Sequence, residues 1–164
     1  WEALKARERD DDASILEGVA RGLDPLSRAH RIQDRVSRVG FDWADYRGAF
    51  EKVAEELEEV REALEQQQLH DDTTAQHPGA GDGSGLAGEG SALEEELGDL
   101  LFAVVNLTRL AGVHSLTALQ RANAKFTRRF RALEELAADR GLVLDAIGLE
   151  ALDVLWDEVK ERER

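Results

Sequence analysis

Apolar residues recur every three to four positions through nearly the whole chain, and no stretch alternates apolar and polar residues as a strand would. That period restricts the chain to amphipathic helices packed against one another. Composition agrees: Ala, Leu, Glu and Arg dominate, and proline occurs only as Pro25 and Pro78, so little interrupts a helix. A first helix is expected from Leu26 to about Val39, with Ala29, Ile32, Val36 and Val39 on one face and Gly40 as its stop. Phe41-Asp42-Trp43 follows as a short aromatic turn. A second helix is expected from about Ala44 to Gln67, burying Phe50, Val53, Ala54, Leu57, Val60, Ala63 and Leu64. The third runs from about Ser91 to Ala111 and stops at Gly112. Its segment Leu100 to Val105 is apolar on every side, which predicts a central position. A fourth helix starts at Ser115 as N-cap and reaches about Asp139 before Gly141, and a last one covers about Leu149 to Glu163. The expected class is all-α, a four-helix-type bundle.

A chain of 164 residues suits one domain with one core. Asp10 to Pro25, with an acidic run and Gly18 and Gly22, reads as a linker. Trp1-Glu2-Ala3-Leu4-Lys5-Ala6-Arg7-Glu8-Arg9 repeats the spacing of Trp, Lys, Arg, Glu and Arg in Trp156-Asp157-Glu158-Val159-Lys160-Glu161-Arg162-Glu163-Arg164. Residues 1–25 are therefore expected to be the tail of a preceding homologous domain plus linker, with the working domain at 26–164. His70 to Gly90, carrying Gly79, Gly81, Gly83, Gly85, Gly88 and Gly90, is expected to be a flexible loop within it. The absence of cysteine excludes disulfides and thiolate-bound zinc or iron–sulfur centres, and is compatible with the cytoplasm, the expected location. A net charge of −14 argues against nucleic acid as a partner over any wide face. No apolar run reaches membrane-spanning length and no signal-peptide pattern is present, so no membrane association is expected.

The acidic residues are patterned. Glu55-Glu56-Leu57-Glu58-Glu59 lies on the second helix and Glu95-Glu96-Leu97-Gly98-Asp99 on the third. Residues three apart share a helix face, so Glu56 with Glu59, and Glu96 with Asp99, each present two carboxylates in one direction. If the two helices pack antiparallel, the two pairs can converge on one point. Clustered carboxylates repel, and a hard divalent cation relieves the repulsion; oxygen-only ligands suit Mg²⁺, Mn²⁺ or Ca²⁺ rather than zinc or copper. Mg²⁺ keeps waters and recruits phosphate oxygens, so such a site takes a phosphorylated substrate. Glu51, Glu58, Glu62 and Glu65 read as a solvated face. Asp99 abuts the apolar run Leu100–Val105, where burial of a charge is costly unless it is paired or metal-bound. Asn106, about two turns further on, either orients a ligand or is a satisfied core amide. Gly98 costs about 1 kcal/mol in a helix interior, which suggests a close approach by another helix or by substrate. A di-iron bundle would need Glu-x-x-His; His30, His70, His77 and His114 each lack that glutamate and read as surface or loop groups.

With these motifs in place, the chain resembles the MazG family of nucleoside triphosphate pyrophosphohydrolases over nearly its whole length. The two acidic motifs match the family's EExxE and EExxD. They are joined by Arg31-Ile32-Gln33-Asp34-Arg35, Val39-Gly40-Phe41-Asp42-Trp43, the run from Gly98 to Leu107, the run Arg121-Ala122-Asn123-Ala124-Lys125-Phe126-Thr127-Arg128-Arg129-Phe130, and Trp156 with Lys160. The resemblance implies the all-α NTP pyrophosphatase fold and a homodimer. It implies Mg²⁺, with Mn²⁺ as a possible substitute, on Glu56, Glu59, Glu96 and Asp99. It further implies Lys125 and Arg129 as the phosphate-binding pair and Trp156 and Lys160 as nucleotide contacts. Lys125 and Arg129 are one helical turn apart on one face, a geometry suited to a polyphosphate. Phe126 and Phe130, on the adjacent face, are expected in the core. Two departures stand out: the glycine-rich connection is long, and Ala92 replaces a basic residue that family members can carry there.

The implied reaction hydrolyses a nucleoside triphosphate to the monophosphate and pyrophosphate, a nucleotide-pool house-cleaning activity. Glu59 or Glu55 would accept the proton of the attacking water. The alternatives are a non-catalytic helical dimerisation or regulatory domain that keeps the fold and loses the chemistry, and a dUTPase-like hydrolase of narrow specificity.

Overall fold

The computed structural model describes residues 14–76 and 91–163. Among them are five helices, α1 (Pro25–Ser37), α2 (Tyr46–Gln76), α3 (Ala92–Leu110), α4 (Ser115–Asp139) and α5 (Gly148–Arg162), and no strand. The all-α class is as expected. The repeated N-terminal tail and all of the glycines between 79 and 90 lie outside the described residues. The chain divides into two compact units, Trp1–Ser115 and Leu116–Arg164.

In the first unit the helix ends follow local chemistry. Asp24 caps α1: its Oδ1 accepts the Ser27 N–H at 3.0 Å, and Pro25 follows in the first turn, where its missing N–H costs nothing. The expected stop at Gly40 is present, with φ +85°, a left-handed conformation that favours glycine. Ser91 caps α3 by accepting the Glu94 N–H at 3.2 Å, and Glu94 and Glu95 sit in the first turn, where the helix dipole favours acids. The end of α2 differs from expectation. It continues past Gln67 to Gln76, through part of the segment expected to be loop. The glycines that would break it begin only at Gly79, whereas His70–Gln76 contains neither glycine nor proline.

The buried stripe of α2 is Ala49, Glu56, Val60 and Ala63, with Ala103 and Val105 buried on α3. Small side chains let two backbones approach closely. Val60 and Ala63 were expected there. Phe50 and Leu57 were also expected inside, yet they are 62% and 58% exposed, and Leu64 and Ala54 are exposed as well. The same correction holds for α3: Leu101 is 60% exposed, and Phe102 and Val104 are exposed too, so the described residues do not enclose this helix. A helix apolar all round shows that several faces need cover, but not that one chain supplies it. A Cβ at Gly98 would meet nothing within 4 Å, so no close approach within the described chain explains that glycine. Gly48, by contrast, has a clear reason. A Cβ there would lie 2.7 Å from Cε3 of Trp43, so the indole of the aromatic turn rests directly on the α2 backbone.

Two polar ties hold the helices of this unit. Gln33, buried in α1, donates from Nε2 to the Phe102 carbonyl of α3 at 2.8 Å. Arg109 of α3 donates from Nη2 to Asp42 Oδ1 at 2.5 Å and to Asn106 Oδ1 at 2.7 Å, fastening the aromatic turn to α3. His30 is half-buried rather than a surface group, its ring stacked on His114 at 5.0 Å. Burial first, then the neighbouring His114, pushes the His30 imidazole below its ordinary pKa.

The second unit is a helical hairpin. Leu133, Leu136 and Ala137 of α4 meet Leu155 and Val159 of α5, with Leu144, Ile147, Leu152 and Trp156 packed around them. Gly141, at φ +66°, ends α4 as expected. Ser115 begins α4 but does not cap it, since its buried Oγ has no hydrogen-bond partner. Arg140 reaches across to Glu158 at 2.6 Å. No single helix among the described residues is long and apolar enough to cross a membrane.

Candidate metal centre and phosphate-binding residues

Glu56 occupies a core position. It stands one heptad from both Ala49 and Ala63 on the buried stripe of α2, and only 5% of it is exposed. An ionised carboxylate there is expensive unless neutralised. Its Oε1 lies 2.7 Å from Lys52 Nζ, one turn earlier. Its Oε2 is buried without a hydrogen-bond partner. Glu59, one turn later, and Glu96 of α3 bring carboxylate oxygens to the same place: all three acids offer a ligand atom within 4.8 Å of the others. The carboxyl of Glu59 is pushed above its ordinary pKa, chiefly by its contact with the Glu56 carboxyl and then by partial desolvation.

A hard cation fits this arrangement. Three acids supply only oxygen donors, and the orphaned Glu56 Oε2 is a buried lone-pair site facing no protein donor. The convergence expected of Glu56, Glu59 and Glu96 is present. Asp99 differs from expectation: it is exposed, and it is not among the three acids that converge. Because neighbouring Leu101 and Phe102 are themselves exposed, the apolar run around Asp99 does not bury it. Asn106 uses its carbonyl oxygen to accept from both Nε and Nη2 of Arg109, so that oxygen serves the clamp on the aromatic turn.

The sequence reading missed Lys52. Its ammonium touches Glu55 and Glu56, each at 2.7 Å, and those two carboxylates raise its pKa further above the ordinary lysine value. The signal was available: Lys52 is four residues before Glu56, the spacing of a helical ion pair. Glu55, thus paired and exposed, lies outside the three-acid group.

In the second unit Lys125 is exposed and forms no ion pair among the described residues, while Arg129 donates from Nε to Glu163 at 2.7 Å and Arg128 to the same carboxylate at 3.0 Å. Lys160 pairs with Asp157 at 2.6 Å. Phe126 and Phe130 are exposed, not in the core as expected, and the Phe126 ring meets that of Trp156 at 5.2 Å, tilted by 44°. Trp156 is half-buried, one edge on the hairpin core. An aromatic surface thus lies beside the Lys125–Arg129 turn.

A family model described as the MazG nucleotide pyrophosphohydrolase domain matches residues 47–133, a span that contains both acidic motifs and the Lys125–Arg129 turn. The chain belongs to the MazG family. It is 40% identical over 161 residues to the nucleoside triphosphate pyrophosphohydrolase/pyrophosphatase MazG of Thermotoga maritima, covering 98% of this chain and 54% of that protein. It is 39% identical over 165 residues to the nucleoside triphosphate pyrophosphohydrolase of Escherichia coli K12, covering 99% of this chain and 56% of that protein. This MazG domain therefore spans about half the length of the curated relatives it matches.

Proposed function

We propose that this MazG domain hydrolyses nucleoside triphosphates to a monophosphate and pyrophosphate, with Mg²⁺ held by Glu56, Glu59 and Glu96 and with Asp99 as a fourth ligand. The observation that carries the reading is the Glu56 carboxylate: a charge in a core stripe, one oxygen unpartnered, facing two further acids. A purely structural helix would place an apolar residue at that position. Asp99 is one turn from Glu96 and exposed, and its side chain would turn inward to join the three acids. Bound there, the divalent ion would polarise the phosphoryl group and offset its charge.

The chain's own residues take the remaining roles. Glu59, or Glu55 once released from Lys52, would accept the proton of the attacking water. The Lys52 ammonium neutralises Glu56 in the absence of substrate and is placed to turn toward phosphate oxygens. Lys125 and Arg129 would stabilise charge on the departing pyrophosphate, with Arg129 exchanging Glu163 for phosphate. Trp156 with Phe126 would offer a stacking surface for the base, and Lys160 a further polar contact.

The apolar faces left open on α2 (Phe50, Leu57, Leu64) and α3 (Leu97, Leu101, Val104) follow helical spacing and suit a second copy of the chain as partner.

The test is pyrophosphate release from a panel of ribo- and deoxyribonucleoside triphosphates, with and without Mg²⁺. Release that requires the metal and disappears in Glu56→Gln is expected; undiminished release in that variant sinks the assignment. Isotopically labelled water separates attack at the α-phosphorus, which labels the monophosphate, from attack at the β-phosphorus.

A further inference from the structure

One face of α1 gathers positive charge against the sign of the whole chain, whose net charge is −14. Arg31, Arg35 and Arg38 are spaced four and three residues apart and so share a face, turned away from the side on which Gln33 bonds to α3. With Gly18, Ala20 and Leu23 they line a cavity of about 370 Å³ that has no acidic residue in its wall among the described residues. An adjoining cavity of about 340 Å³ shares Leu23 and Arg31 and adds Ser27, His30, Asp34 and His114. Three arginines thus stand against one aspartate across the pair of cavities.

The three guanidinium groups are not equivalent. Arg35 donates to the carbonyl oxygens of Ile15, at 3.1 Å, and Glu17, so it holds the wall in place. Arg38 pairs with Asp34 at 2.7 Å on the exposed surface, a contact that a stronger anion can displace. Arg31 has no ion pair or hydrogen bond among the described residues, although it lines both cavities. A guanidinium fork with no acceptor, beside a second held only by an exposed carboxylate, matches the several oxygens of a phosphoryl group. The stacked His30–His114 rings give the adjoining cavity an aromatic wall. The two cavities together have the size of a small-molecule site.

We propose that this groove on α1 is a second anion site, built from residues outside the carboxylate cluster, which takes a phosphate- or pyrophosphate-bearing ligand on Arg31 and Arg38. It would bind without a divalent metal, so it stands or falls independently of the reading of the acidic centre.

The experiment titrates inorganic pyrophosphate, and separately AMP, into the Lys125→Ala chain in EDTA, followed by calorimetry. That background removes one of the proposed substrate cations. Saturable binding is expected, weakened at least about tenfold by Arg31→Gln and by Arg38→Gln, and strengthened by Asp34→Asn, which frees Arg38. Glu56→Gln should leave it unchanged. His114→Ala weakens AMP but not pyrophosphate if the ligand carries a base, and weakens neither if a bare phosphoryl anion is the occupant; both results support the site. If Arg31→Gln does not fold, Arg31→Lys keeps the charge without the fork and should weaken binding several-fold. Absence of saturable binding by either probe, binding indifferent to Arg31 substitution, or binding lost equally in Glu56→Gln would overturn the proposal.

Discussion

The Glu56–Glu59 pair of α2 and the acids of α5 are held in opposite ways. On α5, Glu158 accepts from Arg140 and Arg162, and Glu163, at its C-terminal cap, accepts from Arg129 and Arg128; these guanidinium partners hold both carboxyls below their ordinary range. On α2, Glu56 and Glu59 meet each other and Glu96, Lys52 bonds Glu56 but also Glu55, and the carboxyl of Glu59 is pushed up. Both helices carry glutamates at helical spacing. What distinguishes a structural acid from a candidate ligand is whether the protein itself completes the neutralisation.

The sharpest way to break this contrast is at Glu56. Glu56→Gln should lower pyrophosphate release by a factor on the order of a hundred or more, while the metal-free chain melts no lower, because an under-neutralised buried carboxylate is gone. Steady-state rates and a thermal melt in EDTA check both halves. An unchanged rate would place Glu56 with the structural acids.

Next in size is a pair of leucines. Leu136→Ala, in the α4–α5 core, should cost about 2–5 kcal/mol, read from denaturant unfolding. Leu57→Ala, on an exposed face of α2, should cost within about 0.5 kcal/mol in a monomer, and more where a second copy covers it. A concentration-dependent midpoint for the parent chain, lost in Leu57→Asp, would show that cover.

The two groups of acids should also respond oppositely to pH. Glu59 binds its proton more tightly folded than unfolded, so its contribution to stability is present at low pH and lost as pH rises through the carboxylate range. Glu158 and Glu163 have lowered values, so their contribution is present above that range and lost as pH falls. In EDTA, amide exchange should show the α4–α5 hairpin loosening on acidification, whereas around Glu59 the opposite shift of neighbouring Glu58, held below its ordinary range by Arg61, offsets part of the Glu59 response. The gain in Tm on adding Mg²⁺ should be larger near pH 7 than near pH 4, since the metal competes with protons. A gain independent of pH would mean that the ion binds elsewhere.

The smallest effect is expected at Glu163. Glu163→Gln should leave kcat and Tm nearly unmoved and lower KM slightly, by releasing Arg129. A fall in kcat comparable to that of Glu56→Gln would erase the distinction between the two helices.

Helix number, most boundaries, the stops at Gly40, Gly112 and Gly141, and the acids Glu56, Glu59 and Glu96 were legible from the chain alone, because period, capping and i,i+3 spacing are local properties. The end of α2 was misjudged because His70–Gln76 is polar yet contains no helix breaker. Apolarity marked Phe50, Leu57, Phe126 and Phe130 as residues needing cover, but it carries no record of which chain provides it. Spacing likewise put Asp99 on the same face as Glu96 without saying how far either side chain reaches.

Sequence by itself determined that this MazG domain is helical and that it carries four acids in two matched pairs, since each turn of a helix is set by residues within four positions. Only tertiary structure decided that Glu56 lies in a core stripe with one oxygen unpartnered, that Lys52 is its counter-ion, and that Arg31, Arg35 and Arg38 of α1 line one cavity with Gly18. Burial and charge compensation depend on what other segments bring to the same place, which no local pattern encodes.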